Sequence, residues 1–390
     1  NISKDFLSRN LQLLCNVATR GSKAAVDRSY FSKKHFINLI IGSFPRITPI
    51  VHLPTLRRSG LKQDLAVRDK LQKSFCSLFS PKNDFETFLA ENLIYDMPLS
   101  FIESFKNVLH ESSYVNLKNK NYLSSNAILS NQILQCAAAN QLSSTSDLII
   151  AQHGGSYGIA KWSMQEFYEL NTADKYISFG WEKREFSNIS KISHPKLLLK
   201  NNAGKLSNQN ILYITCAPSR YFDRNWSVLI PGSAIIDYYK NILVLLKAIK
   251  PHLQRHISLR LAPSDLEYKV GVGKLLGKGI KLAKGNFYKE LNAASLVICD
   301  HNQTTMLESM GSNRPTIIVW NSDHNKIDQL AMPLFKELAE VGIFYSSHRK
   351  AAAFINDILD KNGIDDWWRD TSRQNAVSSF VMKFCKKWDR

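Results

Sequence analysis

The sequence predicts an α/β protein built from two doubly wound, Rossmann-like domains with a cleft between them. Three observations lead there. A chain of 390 residues exceeds one ordinary core and suggests two domains of similar size. Beyond Ile211, apolar strand segments alternate regularly with helical ones, as in a parallel sheet covered by helices. Two polar turns follow directly on buried-strand patterns, where such sheets bind their ligands.

In chain order, Phe6–Val17 has helical patterning, and the run Phe36–Ile41 (FINLII), ending at Gly42-Ser43, reads as a strand by its β-branched content. A mainly helical region follows through Asn140, including Asn83–Asn92 and Ser124–Ala139. Asp147–Ala151 is a strand, about Lys161–Leu170 a helix, and Tyr176–Trp181 a strand. Lys200–Asn210 is polar and unpatterned, an expected linker. After it come strands at Ile211–Ala217, His256–Ala262, Gly279–Lys281, Leu296–Cys299 and Thr316–Trp320, with helices at Ala234–Lys250 and Phe287–Ala293. Ala351–Trp388 is helical. The expected domains are residues 1–205, residues 206–350, and a helical tail, 351–390, packing back toward the first.

Hydrophobic content of 44% and charged content of 22% belong to a globular chain. No apolar run approaches the roughly 20 residues that cross a bilayer. The segment NISKDFLSRNLQLLCNVATRGSK has no signal-peptide pattern, and the six cysteines are scattered, with no CxxC and no zinc spacing. Cys136, Cys216 and Cys299 sit among apolar residues and read as buried, reduced thiols of a cytoplasmic protein. A net charge of +18 calls for anionic partners. Spread over both halves, it fits a peripheral anionic membrane surface better than nucleic acid, whose binders concentrate charge in arms or one helix.

The stretch Asp300–Trp320 (DHNQTTMLESMGSNRPTIIVW) places hydroxyls at a helix start directly after a strand. Free N–H groups and the positive dipole end there favour a phosphate near Thr304 and Thr305. Glu308 shares their face and can accept from ribose hydroxyls. The plain alternative is an N-cap followed by a surface glutamate. Gln152–Gly158 (QHGGSYG) is a second strand-end turn, neither GxGxxG nor a Walker loop. Gly154 and Gly155 allow close approach by a ligand, and His153 is a candidate general base or phosphate donor, or else a structural histidine. Glu166 and Glu169 follow on the next helix; Glu166 is an alternative catalytic carboxylate, while Glu169 reads as a solvated face. The loop Pro218–Trp226 offers Ser219 and Arg220 as ligand contacts. Between Arg220 and Arg224, Asp223 should stay ionised as base, nucleophile or local ion-pair partner. Arg260, between apolar residues at a strand end, must meet a ligand anion or a carboxylate such as Asp265. Gly271–Gly279 (GVGKLLGKG) reads as a basic loop rather than a phosphate loop.

The blocks AQHGGSYG, ADKYISFGW, LRLAPSD, TTMLESMGSNRPTIIVW and DDWWRDTSRQNAV, in this order from Asp147 onward, resemble bacterial surface-polysaccharide glycosyltransferases of GT-B type, more narrowly the retaining β-Kdo transferases that use CMP-Kdo. Where related enzymes often carry His-Pro, this chain has Ala262-Pro263. The resemblance implies transfer of Kdo to a lipid-linked lipopolysaccharide O-antigen or capsule glycan at the inner membrane. It places Thr304 and Thr305 on phosphate, Glu308 on ribose, Arg260 on phosphate or the Kdo carboxylate, and Asp223 as nucleophile. The N-terminal domain, with His153, would face the acceptor. No cofactor or metal is required by that chemistry. Two other readings remain open: a GT-B enzyme with a CDP-activated or other donor, and a non-catalytic basic module for RNA or anionic lipid.

Overall fold

The structure, a computed structural model, describes residues 2–27, 33–52, 62–194, 210–216, 234–261, 280–323 and 325–386. In the first half the helices are α1 (Ile2–Ala18), α2 (Lys33–Ser43), α3 (Leu65–Leu78), α4 (Asp84–Asp96), α5 (Phe105–Ser113), α6 (Ala127–Ser130), α7 (Gln132–Gln141) and α8 (Met164–Thr172). The strands there are β1 (Ala24–Val26), β2 (Ile47–Pro49), β3 (Asn121–Ser124), β4 (Leu148–Ala151), β5 (Lys175–Ser178) and β6 (Ile189–Lys191). They form one sheet of order β2-β1-β3-β4-β5-β6.

The second half supplies β7 (Ile211–Ile214), α9 (Ile235–Ala248), α10 (Pro251–Gln254), β8 (Ile257–Arg260), β9 (Lys281–Leu282), α11 (Phe287–Ala293), β10 (Leu296–Cys299), α12 (Thr304–Gly311), β11 (Thr316–Val319), α13 (Met332–Glu340) and β12 (Phe344–Tyr345). Its sheet has the order β12-β11-β10-β7-β8-β9. Every residue of β7, β10 and β11 is buried, as parallel strands covered on both faces require. Counted from β7 this is the 3-2-1-4-5-6 order of doubly wound nucleotide folds, and the chain reverses direction between β7 and β10. The two parallel sheets confirm the expected α/β class.

Two compact units divide the chain at Ile149/Ile150, inside β4: residues 1–29 with 33–149, and residues 30–32 with 150–390. The sheets themselves change between Lys191 and Ile211; of the expected linker, residues 200–209 lie outside the described residues. The tail folds as α14 (His348–Asp360), α15 (Ile364–Arg369) and α16 (Thr371–Phe384). The end of α16 lies in the second unit's interior. Lys386 N–H donates to Phe179 O at 2.9 Å, His194 N–H to Lys386 O at 2.8 Å, and Cys385 Sγ lies 3.1 Å from Leu307 O.

Three expectations are corrected. The FINLII run is helical, inside α2, with Ile37 and Ile41 exposed one turn apart; a short apolar run carries no period that separates strand from helix. The short strands β1, β2 and β3 fell within segments read as featureless or helical, because three or four residues cannot display an alternation. Cys136 is half-buried rather than buried, although Cys216 and Cys299 are buried thiols as expected.

Candidate functional site

The two polar turns come together inside the second unit. Gln152, wholly buried at the end of β4, organises the first. Its Oε1 accepts from Phe179 N–H at 3.0 Å and Trp181 Nε1–H at 2.8 Å, and its Nε2 donates to Gly154 O at 2.7 Å. Gly155 N–H then donates to Thr304 Oγ1 at 3.1 Å, and Ser156 N–H to Asn302 O at 2.7 Å. A Cβ on Gly155 would stand 2.7 Å from Gln303 Cα and closer still to the Gln303 carbonyl carbon and the Thr304 nitrogen. The close approach for which this glycine is needed is therefore by the chain's own backbone at the start of α12.

His153 is about four-fifths buried. Its Nδ1 meets Tyr157 Oη at 3.2 Å, and Gln165 Nε2 approaches its Nε2 at 2.5 Å. Below the turn, α8 faces inward with its acids. Glu166 Oε2 accepts Gly158 N–H at 2.7 Å, while Oε1 pairs with Lys183, which also reaches Asp328 at 3.7 Å. Burial raises its pKa against the pull of Lys183. Glu169 is not the solvated residue expected: it is fully buried, accepting from Tyr157 Oη at 3.0 Å and Tyr176 Oη at 3.3 Å. Burial pushes its pKa to about 8, so near neutrality it holds its proton. The helix that carries Glu166 and Glu169 stands in the sequence, but which way its acids face does not.

On the other side, hydrogen bonds hold the loop from β10 to α12. Asp300, buried, accepts from Tyr238 Oη at 3.0 Å, and burial lifts its pKa to about 8. His301 is buried and held to about 4, hence neutral. Its Nδ1 accepts Gln303 N–H at 3.1 Å and its Nε2 lies 3.4 Å from Thr305 Oγ1. Gln303, the N-cap of α12, makes no side-chain capping bond. One turn in, Glu308 is 4% exposed rather than a surface residue, and it accepts from Tyr288 Oη on α11 at 2.8 Å.

Arg260, ending β8, meets a carboxylate, Glu290 of α11, and donates to Gly285 O at 3.0 Å. Its guanidinium stands 5.4 Å from the Phe287 ring centre. Glu290 in turn accepts Gly285 N–H. Tyr288 and Glu290, which carry Glu308 and Arg260 into one cluster over α11, were passed over in the sequence because nothing in FYKE distinguishes them from an ordinary helix start. Ser219, Arg220 and Asp223 lie outside the described residues, as do Asp265 and residues 271–279. They follow β7 and β8 in the chain, and β7 borders the point where the strand order reverses. Among the described residues, no group of three or more His, Cys, Asp or Glu side chains is arranged to hold a metal ion.

A family model described as LIC12162 family transferase matches residues 1–390. The chain belongs to that family. As an LIC12162 family transferase it has no match among curated proteins. Solved structures similar to it include Anabaena Alr3699/HepE in complex with UDP and glucose (11% identity, 77% of this chain and 86% of that one, TM-score 0.40). Others are WaaG, a glycosyltransferase involved in lipopolysaccharide biosynthesis (11%, 96% and 91%, 0.33), and the wall teichoic acid polymerase TagF, H444N variant with CDPG (12%, 72% and 80%, 0.37). These likenesses are too distant to carry a substrate across. No helix of this transferase, among the described residues, is long and apolar enough to cross a membrane.

Proposed function

We propose that this transferase is a retaining, GT-B-type glycosyltransferase that moves Kdo from CMP-Kdo to a lipid-linked glycan of the lipopolysaccharide or capsule class. One observation carries the reading: the uncapped start of α12, with Thr304, Thr305 and buried Glu308, stands at the carboxyl end of β10, beside the reversal point of a nucleotide-type sheet. In this assignment Glu308, oriented by Tyr288 Oη, accepts from the ribose hydroxyls. The N–H groups and hydroxyls of Thr304 and Thr305 take the phosphate. Arg260, balanced by Glu290, meets the Kdo carboxylate, its planar fork suiting a bidentate anion.

The transfer itself is assigned to Asp223. In a retaining reaction its carboxylate attacks the anomeric carbon as CMP leaves with the bonding pair, and the acceptor hydroxyl then displaces the aspartate. His153 is the proposed base that takes the hydroxyl proton. Glu166, bound to Gly158 N–H and Lys183, acts as a positioning residue for the turn that carries His153. The net charge of +18 supports work at the cytoplasmic face of an anionic membrane.

The test is a thermal shift against CMP, UDP, GDP and ADP. CMP at about 100 times its dissociation constant should add roughly 2.7 kcal/mol of stability. Glu308→Ala should erase the preference, and Tyr288→Phe should weaken it while leaving the fold intact. Equal stabilisation by all four nucleotides, or none, refutes the donor assignment.

A further inference from the structure

Helix α8 is turned inside out. Gln165, Glu166 and Glu169 are buried together with Leu170, while Asn171 and Thr172 at its end are exposed. Met164, Phe167 and Tyr168, on the opposite face at the i, i+3, i+4 spacing, are 59%, 62% and 37% exposed. Trp162, one residue before the N-cap Ser163, is 69% exposed. The inward face explains why the helix cannot simply roll over: Glu166 holds Gly158 N–H and Lys183, and Glu169 holds Tyr157 and Tyr176. Rolling would expose those tyrosines and strip two buried carboxyls of their partners. The apolar face is thus fixed outward.

Two lysines stand beside Trp162. Lys161 Nζ and Lys326 Nζ lie 5.1 Å and 5.9 Å from the Trp162 ring centre. Their two segments are joined by the bond from Lys161 N–H to Lys326 O at 2.9 Å and the Ala160–Ile327 bridge. Both acids of α8 face inward, so the helix presents apolar and aromatic side chains with lysines alongside and no carboxylate of its own. Indole and phenol rings settle at the headgroup level of a bilayer, and lysine stems lie along them with the ammonium toward phosphate.

We propose that this face, Trp162, Met164, Phe167 and Tyr168 with Lys161 and Lys326, is where the protein docks on an anionic bilayer. The proposal rests on the membrane part of the reading above and not on the donor, so it is tested without nucleotide sugar. Full-length protein is co-sedimented with vesicles of phosphatidylcholine, with and without phosphatidylglycerol. The variants are Trp162→Glu/Phe167→Glu and a charge-matched control, Lys247→Gln/Lys336→Gln, whose lysines are exposed elsewhere. Thermal melts of each establish folding.

The wild type should require phosphatidylglycerol, and Trp162→Glu/Phe167→Glu should lower its partition coefficient at least about tenfold, the control much less. Equal losses in both variants would mean that net charge alone binds, overturning the docking face but not the membrane reading. Wild type that ignores vesicles altogether overturns both. A dimer that Trp162→Glu/Phe167→Glu dissociates would give the face to a second copy of the chain and overturn the proposal.

Discussion

Gly155→Ala tests whether the two turns are in fact one structural unit. The added methyl would meet the backbone of Gln303 and Thr304, at 2.7 Å from Gln303 Cα and closer to the neighbouring atoms. Backbone cannot swing aside as a side-chain tip can. Either the methyl is forced in, an overpacking that costs about 1–3 kcal/mol, or the turns part and the bonds from Gly155 N–H and Ser156 N–H to Thr304 and Asn302 are lost at about 0.5–1.5 kcal/mol each. Both routes arrive at roughly 1–3 kcal/mol, or a melting temperature lower by about 2–12 °C for a unit of this size. Gly154→Ala is the control: its Cβ would lie 3.2 Å from Thr304 Oγ1, a hydroxyl that can rotate, so a loss under about 1 kcal/mol is expected. Circular dichroism melts of the three proteins, followed by titration with CMP, make the comparison. If Gly155→Ala melts within a degree or two of wild type and binds CMP equally, the turn does not rest on the start of α12 and the coupling argued here is wrong.

Asp223→Ala and the nearly isosteric Asp223→Asn should both abolish Kdo transfer with CMP affinity nearly unchanged, and intact mass after incubation with CMP-Kdo and a blocked acceptor should show one added Kdo on wild type only; near-normal turnover by either variant rules the residue out. Stability should fall as pH rises from about 6.5 to 8, above the range in which His301 and His348, both held to about 4 by burial, act in the opposite direction. In that window folded Glu169, held to about 8 by burial, keeps a proton that the unfolded chain releases near its ordinary 4.5, so each pH unit costs up to about 1.4 kcal/mol. Asp300 adds in the same direction. Glu169→Gln should flatten the decline in melting temperature, and an unchanged slope would show that Glu169 is ionised in the fold.

Elements whose period extends over whole helices and central strands were legible. Phe287–Ala293 and Leu296–Cys299 lie where the pattern places them, because a central parallel strand is apolar throughout and its flanking helix has one apolar stripe. What failed was short or inverted. β1 to β3 are too brief to show alternation, and FINLII is too brief to show that its period is 3.6. α8 misleads differently: its pattern marks one face apolar and one acidic, and the ordinary rule turns the apolar face inward. The tyrosines that reverse this, Tyr157 and Tyr176, come from a turn and a strand seven to twelve residues away, so the inversion is a tertiary fact.

The same distinction governs the site. Residues whose role follows from local backbone, such as hydroxyls at a helix start after a strand, stand in the sequence as motifs, and Thr304, Thr305 and Glu308 are found on the helix expected for them. Residues that act by reaching across elements leave no such mark. Tyr288 orients Glu308 from 20 positions away, and Glu290 meets Arg260 from 30. Gly155 shows both sides at once: the glycine is conspicuous because only a residue without Cβ fits, yet the sequence suggests that a ligand fills the space, while Gln303 and Thr304 of the same chain occupy it. A glycine-rich turn therefore announces a close approach without naming the partner. Here the partner is the start of α12 itself, so the position of His153 depends on the backbone bonds that join the two turns.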